Sequence, residues 1–207
     1  MAGFVPGGLI IPGPSPVSAG ADRLRRVFCG PIKLGPGLGP AIVAFDLWIG
    51  AIVAAEVPPL EHASPRADIA DFISSVAGTV AGDAQGKEKH LLRKAVEETL
   101  FVAAGQNIQI SPRVAQKRWV RYNKAHGQSA MIEMFLANHL WNVLWLKAGD
   151  VFGQSDREAL EYTMRRLKRT CQLFVNAVCQ SKGLKDSLNL PVAEQVIRAL
   201  EANILPS

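Results

Sequence analysis

The sequence predicts an all-α protein, a bundle of six or seven helices over residues 40–207, preceded by a long extended Gly/Pro-rich apolar arm, residues 1–39. Three observations predict it. Beyond residue 60 no stretch alternates apolar and polar residues at the period of a strand, whereas apolar residues recur three and four apart. Start signals (Ser64-Pro65, Ser111-Pro112) and stop signals (Gly82, Gly105, Gly127, Gly183) punctuate the chain at helical lengths. The first 39 residues carry PGG, PGPSP, CGP and GPGLGP, which neither a helix nor a regular strand tolerates for long. With 207 residues, 48% of them hydrophobic and 20% charged, the chain can build one substantial core and is far from the composition of disorder.

The arm is not polar, as a flexible linker would be. Phe4, Val5, Leu9, Ile10, Ile11, Val27, Phe28, Ile32 and Leu34 are apolar, so an extended arm of this kind needs a groove. The groove belongs either to a neighbouring subunit, which makes a homo-oligomer through the arm, or to the arm's own domain. Pro40–Val57 follows and is the most apolar stretch. It reads as a buried core helix: it is short for a bilayer, Asp46 sits in its middle, and Glu56 and Pro58-Pro59 end it. A membrane-active protein using residues 40–57 is the alternative.

From Ser64 on, the elements follow one another. Ile69, Phe72, Ile73, Val76 and Val80 line one helix, and Leu91, Leu92, Ala95, Val96, Thr99, Leu100 and Ala103 the inner side of the next, Lys87–Ala104. Ser111-Pro112 opens a third that Gly127 ends. Ser129–Lys147 is apolar on nearly every side and is expected to be the central helix. Its polar residues Asn138, His139 and Asn142 share one sector; they are expected to knit neighbouring helices together, with a polar pocket at His139 as the alternative. Ser155 and Glu158 form a capping box before a helix with the seam Leu160, Met164, Leu167, Cys171, Phe174 and Val178. Its outer face holds Arg165, Arg166, Lys168 and Arg169, expected to be solvated. A last helix starts near Pro191 and turns Val192, Val196, Leu200 and Ile204 inward.

The functional signal is the third of these helices, SPRVAQKRWVRYNKAH, residues 111–126. Arg113, Lys117, Arg118, Arg121 and Lys124 lie in it, and no Asp or Glu occurs between Glu98 and Glu133. Those cations equal the formal net charge of the whole chain, +5, so the remaining residues balance. At about 100° per residue Arg113, Lys117, Arg121 and Lys124 form one stripe, with Ala115, Trp119, Tyr122 and His126 opposite. A helix anchored by its aromatic side and unopposed in charge on the other suits a polyanion, bound through phosphates and without sequence preference, because the aromatics point away from the cations. With the arm, the pattern suggests a self-assembling nucleic-acid-binding protein of the coat or packaging kind, RNA or DNA. A solvated basic face, or one that takes an acidic protein, reads the same way.

Arg121-Tyr122-Asn123-Lys124-Ala125-His126 has the form Arg-x4-His. It resembles the motif of the HEPN ribonucleases, all-helical proteins in which an Arg and a His converge, usually across a dimer, to cleave RNA without metal. The resemblance covers these six residues. It implies His126 as general acid or base and Arg121 as the group that stabilises the developing phosphorane charge.

Other chemistry is missing from the sequence. It has no phosphate-binding GxxxxGK[ST], no GxGxxG after a strand, no GxSxG and no HExxH. Cys29, Cys171 and Cys179 make no metal-ligand spacing, and Cys171 and Cys179, about 12 Å apart along one helix, are too distant for a disulfide. No cofactor and no metal are therefore expected. The N-terminal residues have no basic stretch before their apolar ones, so an intracellular, cytoplasmic location is expected, or a virion for a coat protein.

Overall fold

The computed structural model describes residues 32–54, 69–106, 110–127, 129–149, 157–183 and 188–203. They form seven helices and, among the described residues, no strand: α1 (Leu38–Val53), α2 (Ile69–Ala81), α3 (Gly86–Ala103), α4 (Pro112–His126), α5 (Ser129–Gly149), α6 (Arg157–Ser181) and α7 (Leu190–Asn203). Residues 1–31 of the expected arm, residues 55–57 of the expected core helix, Ser64-Pro65, the capping residue Ser155, the side chains of Glu158, Leu160, Met164 and Arg166, and Ile204 lie outside the described residues.

Helix α5 is the hub. Every residue from Met131 to Leu140 is buried, as the all-round apolar pattern of this stretch requires. Helices α3 and α6 lie along it, α1 and α4 touch it, α2 packs on α3, and α7 packs on α1. The inner sides match the periodicity: Leu92, Ala95, Val96, Thr99, Leu100 and Ala103 on α3, and Leu167, Cys171, Phe174, Val175, Val178 and Cys179 on α6 are buried. On α7 the buried residues are Ala193, Val196 and Leu200, and Val192 is only half-buried. The cap of α7 is Asn189, whose Oδ1 accepts from the Val192 N–H at 3.0 Å.

Two stretches differ from their expectation. Helix α1 is only half enclosed. Ile42, Phe45, Ile49 and Ile52 face the core, but Leu47 is 69% exposed. Among the described residues no helix is long and apolar enough to cross a membrane.

The second is the end of the arm. Ile32 and Leu34 are part of the core, 1% and 2% exposed. Burying two such side chains is worth about 1.5–3 kcal/mol each. For residues 32–37, then, the groove belongs to the arm's own domain. Gly35 is required there: its φ is +98°, and a Cβ would run into the Glu88 carboxylate.

Candidate nucleic-acid interface

Helix α4 is defined at both ends by residues visible in the sequence. The Ser111 hydroxyl accepts from the Val114 N–H at 3.4 Å, Pro112 takes the first turn, and Gly127 follows the last residue with φ +91°. Its inner side is held by Trp119. The indole is 1% exposed and donates through Nε1 to the Leu100 carbonyl of α3 at 2.9 Å. Its ring meets Trp48 of α1 edge-on at 5.6 Å and stacks on Phe72 of α2 at 6.1 Å. One side chain thus ties α4 to three helices.

The cations fall into two groups. Arg113, Lys117, Arg121 and Lys124 are exposed, and among the described residues none has a carboxylate or hydrogen-bond partner. Arg118, counted with them from sequence, is half-buried and donates through Nη1 to the Ala104 carbonyl at 2.7 Å, at the C-terminal end of α3. A cation there satisfies an orphan carbonyl and the helix dipole. Gly105 beside it has φ +84°, and a Cβ would lie 3.1 Å from that same nitrogen. Arg118 therefore fixes the helix, whereas the other four face outward.

The far side of α4 is close to expectation. Ala115 and Trp119 are buried and Tyr122 is half-buried, but the third buried residue is Asn123, and His126 is exposed. Burial, helped by the Glu133 carboxylate, pushes the Tyr122 phenol above its ordinary range. The His126 ring lies on the Tyr122 ring, centroids 4.4 Å apart. Since α4 is unbroken from Arg121 to His126, those two residues stay about 140° apart around it. Within one chain they do not converge, and a shared phosphate contact would require a second subunit.

The second basic face, on α6, is arranged differently. Arg165, Lys168 and Arg169 are exposed. The Lys168 ammonium, however, lies 3.8 Å from Glu98 of α3 and 5.9 Å from the centre of the Trp141 ring, and Arg165 also has an interaction within the fold.

The polar sector of α5 knits helices, as expected, at two of its three positions. Asn138 donates to Thr99 Oγ1 at 3.1 Å, and Thr99 in turn to the Ala95 carbonyl at 2.7 Å. His139 bonds the Leu34 carbonyl at 2.8 Å. Asn142, 1% exposed, makes no hydrogen bond among the described residues. Glu133, which sequence reasoning passed over, is also buried; it accepts from the Ser129 hydroxyl at 3.2 Å, and the Asn176 amide reaches it at 3.3 Å when turned to donate. Its only signal in the sequence was a carboxylate inside an otherwise apolar helix.

Cys171 and Cys179 are buried free thiols, both pushed up to about 12 by burial. Among the described residues no group of three or more His, Cys, Asp or Glu is placed to hold a metal ion. Compared with protein-family models, with the curated proteins and with the solved structures, the chain gives no match.

Proposed function

We propose that the protein binds nucleic acid through its phosphates, without sequence preference, using Arg113, Lys117, Arg121 and Lys124 of α4. One observation supports this above the rest: four exposed cations on one helical face, none paired with a carboxylate among the described residues. Cations in that state condense with phosphates and release counterions, which supplies affinity at moderate salt. The anchoring of α4 by Trp119 and Arg118 holds the face in place before binding, so little ordering entropy is lost. Trp119 is buried, and Tyr122 and His126 lie on the side of α4 away from the cation stripe, which favours the backbone over the bases as the target.

The apolar composition of residues 1–31 adds the second half of the proposal, self-association through the arm, in the manner of a coat or packaging subunit. Size-exclusion chromatography of protein purified without nuclease, followed at two absorbance wavelengths, tests both halves at once. An assembly larger than one 22.3 kDa chain, carrying absorbance typical of nucleic acid, is expected. A nucleic-acid-free monomer that takes up no added oligonucleotide overturns the proposal; an acidic protein eluting with it reassigns the partner.

A further inference from the structure

The segment just before α1 is held by three polar side chains from three different helices. Residues 32–37 lie across the bundle as a strap. Glu201 of α7 accepts the Leu34 N–H at 2.8 Å and pairs with Lys33 at 3.0 Å. Glu88 of α3 accepts the Gly37 N–H at 2.7 Å. His139 of α5 meets the Leu34 carbonyl at 2.8 Å. Leu34 is thus gripped at both its backbone groups, while its side chain and that of Ile32 are buried.

The His139 contact sets it apart from the other two. A carbonyl can only accept, so Nε2 carries the proton and donates. The ring is 1% exposed, and Nδ1 makes no hydrogen bond of ordinary geometry, the Leu91 carbonyl bearing on the ring only loosely. Burial holds the imidazole below its usual range, against the opposing pull of the Leu34 and Leu91 carbonyls and of Glu88. Glu88 is the one charged group among the described residues that bears on the ring. Lys33, the cation of the strap itself, is turned to Glu201. The neutral imidazole therefore belongs to the closed strap, and a protonated one is favoured only when water reaches it.

We infer that residues 32–37 form an acid-released strap: protonation of His139 accompanies its lifting from α3, α5 and α7. The sign follows from the two states. The closed state resists the proton, and the open state accepts it near the ordinary histidine value of about 6.5. Opening is hence least frequent at neutral pH and grows as pH falls below about 6.5. At pH 5 the open population rises by up to about 30-fold, the ratio set by one and a half pH units. The consequence is a pH-dependent length for the chain segment that precedes α1, and with it a pH-dependent attachment of everything N-terminal to residue 32. This device is independent of the nucleic-acid proposal.

The test is amide hydrogen exchange at Leu34 and Gly37 in the full-length protein between pH 7 and pH 5, corrected for the intrinsic dependence of exchange on pH. Wild type should show protection at both amides falling by roughly 10- to 30-fold. His139→Gln, which keeps a donor for the Leu34 carbonyl but cannot titrate, should show a flat ratio. Equal pH dependence in both proteins overturns the proposal and assigns any opening to the carboxylates; no dependence in wild type overturns it outright. Should His139→Gln fail to fold, the imidazole resonances of wild type decide. Titration of His139 at its ordinary value with Leu34 still protected contradicts the strap.

Discussion

Helices α4 and α6 both present a row of cations to solvent, yet the two rows are chemically different. On α6, Lys168 lies by Glu98 and by the face of Trp141 and Arg165 is engaged as well, which leaves Arg169 as the exposed cation of that row without a partner among the described residues. On α4, Arg113, Lys117, Arg121 and Lys124 have no such partners among the described residues. The contrast shows that counting Lys and Arg along a helix is not enough. What matters is whether the fold has already neutralised them, because only a cation not taken up by a carboxylate is free to neutralise a phosphate and displace the counterions condensed on the nucleic acid.

The contrast breaks most completely from behind. Trp119→Ala removes the indole that joins α4 to α1, α2 and α3. A loss of about 3–5 kcal/mol in unfolding free energy is expected, measurable by denaturant titration. No substitution of an outward cation should approach that.

The next effect sharpens the contrast directly. Lys117→Gln with Arg121→Gln should weaken binding to any nucleic acid by the same factor and reduce the salt dependence by roughly two phosphate contacts. Lys168→Gln should leave affinity and salt dependence as they were. It should instead cost stability by less than about 1 kcal/mol, since its ion pair is partly exposed. Should Lys168→Gln prove the more damaging to binding, the roles of the two helices are reversed.

Smaller again is the cap of α4. Ser111→Ala should cost about 1 kcal/mol of stability while leaving the stripe's affinity nearly intact, because the bond it removes belongs to the first turn only. The last prediction touches neither row of cations but checks the seam that positions α6. In a Cys29→Ser background, Cys171 and Cys179 should react with a thiolate-seeking reagent about a thousandfold more slowly at pH 8 than an exposed cysteine, given thiols pushed up to about 12. Rapid labelling of the native protein would mean that the face of α6 turned to α5 is open.

Much of this was legible in the sequence wherever the cause is local. Ser111-Pro112 and Gly127 delimit α4 because capping is a matter of a few adjacent residues. The basic stripe and the burial of Ala115 and Trp119 follow from helical period alone. The all-round apolar pattern identified α5 as the central helix. What stayed hidden depends on partners far away along the chain. Nothing near Arg118 announces that its guanidinium caps α3 through Ala104, or that Lys168 has a carboxylate waiting at Glu98. The same holds for the strap. Gly35, Pro36 and Gly37 argue correctly against a helix over residues 32–37, but only the fold shows Glu88, His139 and Glu201 converging on backbone groups of residues 34 and 37. Asn123 rather than His126 completes the inner side of α4, whose last three residues are all exposed.

The central claim is that the α4 cations are uncommitted within the fold and available to phosphates. Salt titration of binding to two duplexes of unrelated sequence tests it most directly, comparing wild type with a variant carrying Gln at 113, 117, 121 and 124. With four phosphate contacts, wild type should lose about a hundredfold in affinity between 50 and 200 mM salt, equally for both duplexes, and the variant should show almost no salt-dependent binding. A variant that binds with the wild-type slope, or a wild type whose affinity ignores salt, would contradict it.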